Sequence, residues 1–151
     1  MVCFSRKWQN PLLWSHYADK HKGLCLGFDV VKSHTLPIIY RKNRKPCQRK
    51  EFDIDFMLEL LSTKYTDWSY EDETRLFCLL EKPCKDTGLY FLNYSNDLIL
   101  KEIIIGCQSD ITRQDISNVM EGGFNEVKPF KVRPAYNTFK IVKNRNESLW
   151  K

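Results

Sequence analysis

No stretch of this chain is apolar for long enough to cross a bilayer as a helix, which takes about 20 such residues. The N-terminus MVCFSRKWQN also lacks an apolar core followed by a small-residue cleavage site. The expectation is a cytoplasmic protein with no membrane partner. No two of the six cysteines stand at C-x-x-C spacing, and His16, His21 and His34 form neither H-E-x-x-H nor a paired ligand spacing. The chain therefore offers no metal-site pattern and specifies no cofactor. Without a mark of secretion, the cysteines are expected as reduced thiols, with Cys25 in GLCLGFDV and Cys78 in TRLFCLL acting as small buried hydrophobes. Repeats, low-complexity tracts and linkers are missing too.

What is present fits one domain, since 151 residues at 42% hydrophobic content supply a core for one and too little for two comfortable ones. The net charge of +5 is unevenly spread. Residues 41–50, RKNRKPCQRK, hold six basic side chains (Arg41, Lys42, Arg44, Lys45, Arg49, Lys50) and no acid, whereas the other 141 residues carry 18 basic and 19 acidic ones. The excess is thus a local patch. Such a segment suits contact with phosphates through counterion release. The plainer reading is a solvated connector between a strand ending near Tyr40 and a helix beginning near Arg49, because charge runs are most often solvated and no aromatics interleave with its cations.

Periodicity predicts a mixed set of elements. Residues 2–5 read as a short strand, and Asn10-Pro11 supplies an N-cap and a first-turn proline for a helix over 12–20, on which Leu13, Trp14 and Tyr17 form an apolar stripe with His16 at its flank. Strands are predicted at 23–30 and 35–40, joined as a hairpin by a turn at 31–34. Residues 51–61, EFDIDFMLELL, place Phe52, Phe56 and Leu60, and Met57 and Leu61, at helical spacing. Further strands are expected at 74–80, 88–93 and 98–105, the last ending at Gly106. Thr112 reads as the N-cap of a helix that stops at Gly122-Gly123, and residues 126–132 and 138–142 as a closing antiparallel pair. The sum is a single α+β domain with a largely antiparallel sheet and about three helices.

The segment KYTDWSYEDETRLF, residues 64–77, concentrates aromatics and alternating charge. Carried as a strand from Glu71, period-two geometry puts Glu71, Glu73, Arg75 and Phe77 on one face. Two carboxylates and a guanidinium on one face must be solvated, paired or part of a cleft, because an unpaired charge costs several kcal/mol to bury.

The block CFSRKWQNPLLWSHYADKHKGLCLGF resembles the first shared motif of the bacterial domain of unknown function 2971 family: a Cys-Phe-Ser strand, a Trp-x-x-Tyr helix, a His-x-Gly turn and a Gly-Phe strand end. WSYEDETRL is similar to that family's Trp-x-Tyr-Glu-x-Glu-x-Arg motif, and LILKEIIIGCQSD to its Ile-Ile-x-Gly strand. Members carry an upstream strand and helix before the Cys-Phe-Ser strand, so the resemblance implies a minimal or truncated member. It supplies no reaction.

Two functional expectations follow. In one, Glu73, supported by Arg75 and Glu71, is a catalytic or ligand-orienting carboxylate in a small-molecule cleft beside Trp14, His16 and Tyr17, with His16 as its acid or base. That constellation is similar to ADP-ribosyltransferase-like domains, where a glutamate orients a ribose hydroxyl, and implies a degenerate module of that kind. The same residues equally make a cross-strand salt-bridge ladder that fixes register. In the other, residues 41–50 bind nucleic acid or an acidic partner without catalysis. An interaction protein or homodimer, through exposed strand edges near either terminus, is a third, plainer expectation.

Overall fold

The computed structural model describes residues 1–44, 46, 53–121, 123–124 and 126–150. The first half of the chain contributes β1 (Val2–Ser5), α1 (Pro11–Tyr17), β2 (Leu24–Val30), β3 (Thr35–Pro37), β4 (Ile39–Arg41), α2 (Ile54–Leu61), β5 (Thr63–Tyr65) and β6 (Glu73–Leu76). The second contributes β7 (Leu98–Ile105), α3 (Arg113–Met120), β8 (Lys128–Pro134) and β9 (Ile141–Lys143). Short 3-10 turns occupy Lys32–His34, Thr66–Glu71 and Glu147–Leu149. The class is α+β. No helix among the described residues is long and apolar enough to cross a membrane.

The described residues form two compact units, Met1–Lys7 with Val31–Asn93, and Trp8–Val30 with Tyr94–Lys151. The second unit is built on a four-stranded sheet in the order β2-β7-β8-β9. β2 runs antiparallel to β7 with Leu24 opposite Ile105, β7 and β8 run parallel, and β8 and β9 are antiparallel with Pro134 opposite Ile141. A parallel pair needs a crossover, and α3 supplies it. The run Ile103-Ile104-Ile105 is central, so alternation sends its side chains to both faces and both are covered. Ile104 packs with Trp14, Ala18, Phe130, Val132 and Ile141, while Ile103 and Ile105 pack with Ile116, Val127 and Trp150. Cys25 lies partly buried against the first cluster.

Local chemistry fixes the helix starts. Asn10 Oδ1 accepts the Leu12 amide at 3.0 Å with Pro11 opening α1, and Thr112 and Asp115 form a reciprocal capping box on α3. α1 ends at Tyr17, three residues before the predicted Lys20, because Asp19, Lys20 and His21 all take positive φ. That left-handed turn returns the His21 amide to the Trp14 carbonyl at 3.1 Å. Gly106 then lies so close that a Cβ there would sit 2.2 Å from the His21 carbonyl oxygen. The predicted stripe is corrected as well: Trp14 is 2% exposed but Tyr17 is 65% exposed, since Trp14 and Ala18, four apart, define the buried line.

The first unit holds the sheet β1-β6-β3, antiparallel throughout, with Ser5 opposite Glu73 and Cys3 opposite Arg75. Beside it in the same unit, β4 and β5 form a parallel two-stranded ribbon in which Ile39, Tyr40 and Arg41 face Thr63, Lys64 and Tyr65. Its buried apolar residues, among those described, are Ile38 and Phe56, whereas Ser62, Glu71 and Glu73 are buried polar ones. Its buried residues are therefore as much polar as apolar. α2, capped by Asp53 on the Phe56 amide at 2.8 Å, buries Phe56 and leaves Met57, Leu60 and Leu61 exposed. Leu60 of the first predicted apolar line and both Met57 and Leu61 of the second are thus exposed, against expectation. Glu51 and Phe52 lie outside the described residues.

Three strand expectations are revised. β2 and β3 do not form a hairpin, because β2 pairs with β7 and β3 with β6. Pro37 suits an edge strand, having no amide to donate. The strand predicted over 74–80 spans Glu73–Leu76, and no strand forms at 88–93 among the described residues. β8 and β9 close as the expected antiparallel pair.

Candidate functional site

The first unit gathers Lys64, Glu71, Glu73 and Arg75 into one buried charge cluster. β5 carries Lys64 inward beside Tyr40, and the chain then winds through Thr66–Glu71, turns at Asp72 with φ of +49°, and enters β6 at Glu73. Lys64 Nζ donates to Glu71 and to Glu73 Oε2, the latter at 3.0 Å. Arg75 Nε donates to Glu73 Oε1 at 2.7 Å, a guanidinium nitrogen reaches Oε2 at 3.3 Å, and a second donates to the Leu61 carbonyl. The Glu73 amide donates to the Tyr40 hydroxyl at 2.9 Å. Two acids thus meet two bases, both carboxylates 4% exposed.

The electrostatics follow. Burial by itself raises the Glu73 carboxyl, but hydrogen bonds from Arg75, Cys3 and Lys64, with the charge of Arg75, outweigh it and hold the pKa at about 2. Burial lowers Lys64, yet Glu71 and Glu73 reverse that and leave it raised. Burial and the adjacent Glu73 carboxylate push the Cys3 thiol up. At the turn, Arg6 and Lys7 hold Asp72 at 2.6 and 2.9 Å, and their hydrogen bonds draw its carboxyl down against the burial that opposes them.

Glu73 and Arg75 share a face as alternation predicts, but Glu71 does not reach it along the same strand. It sits in the 3-10 turn, and the left-handed Asp72 returns it to the common cation. Lys64 was missed by pattern reading. Its signal was charge balance: two buried carboxylates need a second cation besides Arg75, and Lys64 is the one inside the same segment. Lys64 Nζ also lies 5.2 Å from the centre of the Trp68 ring, a cation–π contact.

The other expected site residues lie in the second unit. Trp14 is a core residue whose indole donates to the Trp8 carbonyl at 2.6 Å and whose ring stacks with His21. His16 and Tyr17 are exposed, their rings 6.3 Å apart. The expected grouping thus draws Trp14, His16 and Tyr17 from one unit and Glu71, Glu73 and Arg75 from the other. Among the described residues no three His, Cys, Asp or Glu side chains gather as a metal site would require.

Of the basic segment, Arg41 closes β4 and pairs with Glu59 at 3.1 Å, and Lys42 and Arg44 are exposed. Lys45, Arg49 and Lys50 lie outside the described residues. The ribbon adds what the linear sequence lacked. Tyr65 stands opposite Arg41 on its outward face and is 53% exposed, so an aromatic ring accompanies the cations. No family model, curated protein or solved structure matches the chain.

Proposed function

We propose that this protein is a non-catalytic binding module for single-stranded nucleic acid, held by residues 41–50 and the outward face of the β4–β5 ribbon. The observation that carries the reading is the pairing of exposed Tyr65 with Arg41 at the point where Lys42 and Arg44 leave the ribbon. Cations neutralise phosphates and an exposed ring stacks on a base, and the two together favour a single strand over a duplex. The first unit suits this passive role because its buried ion pairs fix the ribbon: Tyr40 and Lys64 turn inward to Glu71 and Glu73, which sends Arg41 and Tyr65 outward.

An acid–base role for Glu73 draws less support. Both its oxygens are engaged, and at a pKa of about 2 the carboxylate takes no proton near neutrality. A ligand-orienting role of the ADP-ribosyltransferase-like kind would require Lys64 or Arg75 to release it. Kinship with the domain of unknown function 2971 family, and with it a bacterial and cytoplasmic setting, belongs to the same proposal and rests on the three sequence motifs.

Fluorescence anisotropy with a labelled oligonucleotide tests the reading. With Arg41 paired to Glu59, the five remaining cations on single-stranded phosphates give a slope of log affinity against log salt of roughly −3.5. Lys42→Glu combined with Arg44→Glu should abolish retention at moderate salt, and Tyr65→Ala should weaken binding by about 1–3 kcal/mol if one base stacks there. No salt-sensitive binding at low ionic strength refutes it.

A further inference from the structure

The first unit exposes an apolar stretch that neither the charge cluster nor the ribbon uses. Cys84 and Leu89 close a turn, the Cys84 amide donating to the Leu89 carbonyl at 2.7 Å and the Gly88 amide to the Cys84 carbonyl at 2.8 Å, with Gly88 at φ of +68°. On either side, Leu79, Leu80, Leu89, Tyr90, Phe91 and Leu92 are 88, 62, 59, 48, 68 and 41% exposed. The sequence reads as a strand at 88–93, with LYFLNY rich in strand-forming aromatics. Yet among the described residues no backbone group of residues 90–93 has a hydrogen-bond partner. A strand-forming sequence with apolar side chains and open backbone groups lacks only a neighbour.

We propose that this arm is the contact surface of a two-fold homodimer, in which residues 89–93 of one copy pair antiparallel with the same residues of a second. A two-fold axis makes any strand antiparallel to its own copy, so the segment is self-complementary and the assembly closes instead of growing. Phe91 falls at the centre of the pairing, where cross-strand aromatics stabilise one another. Where Leu79 and Leu80 are covered together with residues 89–92, at about 150–200 Å² for a fully exposed side chain of this size, the arm offers up to roughly 600 Å², and two copies up to about 1,200 Å², the lower bound for a stable interface. Charge permits it as well. Residues 77–94 carry Glu81 and Asp86 against Lys82 and Lys85, so the arm is neutral in a chain of net charge +5, and two copies meet there without repulsion.

The test is analytical ultracentrifugation of the full chain from low to high micromolar concentration. The wild type is expected to shift from monomer to dimer. Phe91→Lys sets two ammonium groups face to face, and Leu92→Pro removes a ladder amide while keeping the site apolar. Each should raise the dissociation constant at least tenfold, with far-UV circular dichroism and melting of the dilute monomer unchanged. A wild type that stays monomeric, or a dimer indifferent to both variants, overturns the proposal. A monomer that instead co-sediments with neutral phosphatidylcholine vesicles overturns it too and assigns the arm to a lipid surface.

Discussion

Replacing Glu73 with glutamine removes the central charge of the cluster while keeping its shape, and the cost can be worked from the geometry. In the folded protein the carboxyl titrates at about 2, against an ordinary value of 4.5. A folded pKa below the unfolded one means that the unfolded chain binds the extra proton between those values, so stability rises with pH across that window, by about 1.4 kcal/mol per pH unit. The contribution is complete above pH 4.5, amounts to about 3 kcal/mol, and is lost as pH falls towards 2. Glu73→Gln should therefore destabilise the protein by about 3 kcal/mol at pH 7, lowering the melting temperature by roughly 6–12 °C for a chain of this length. Arg75 and Lys64 retain the Leu61 carbonyl and Glu71, which limits the damage. Urea unfolding at pH 7, 4 and 2.5 measures it. Wild type and variant should converge as pH approaches 2. A variant within about 0.5 kcal/mol of wild type at pH 7, the range of an ordinary surface substitution, or an undiminished pH slope, would refute the reasoning.

Tyr40→Phe removes the hydroxyl that accepts the Glu73 amide, and leaving that buried donor unpaired should cost about 1–2 kcal/mol by urea unfolding, with the β4–β5 ribbon loosened in hydrogen exchange. Gly106→Ala pushes a methyl against the His21 carbonyl, a backbone group that cannot swing aside, and should cost about 3 kcal/mol or more, read as a fall in melting temperature. Thr112→Ala breaks the capping box of α3 and should cost about 1 kcal/mol, whereas Thr112→Ser should cost little, a contrast seen in the same melting assay.

Helix starts were legible because a cap is a local event: Asn10-Pro11 and Thr112-Asp115 carry their hydrogen-bond chemistry within a few residues. The long strand at Leu98–Ile105 was legible as an apolar run bounded by a glycine. Its burial on both faces could be inferred only loosely, since the covering residues, Trp14 and Trp150, lie far away in sequence. The end of α1 was not legible, because nothing local forbids helix at Asp19; the left-handed turn is imposed by the approach of Gly106 and Gln108 to His21. Alternation reads Glu71 into a strand because, over a charged segment, it cannot reveal a 3-10 turn closed by a left-handed aspartate.

By itself, the sequence determined the α+β class, the positions of most elements, the charge-bearing segment around Glu73 and the confinement of the excess positive charge to residues 41–50. These depend on periodicity, capping and composition, which act over short distances along the chain. Only the tertiary structure decided which strands pair, that Lys64 completes the neutralisation of two buried carboxylates, that Tyr65 stands beside Arg41, and that the backbone of residues 90–93 has no hydrogen-bond partner among the described residues. Each of those depends on contacts between residues distant in sequence, where burial and charge balance, and not local preference, select the arrangement.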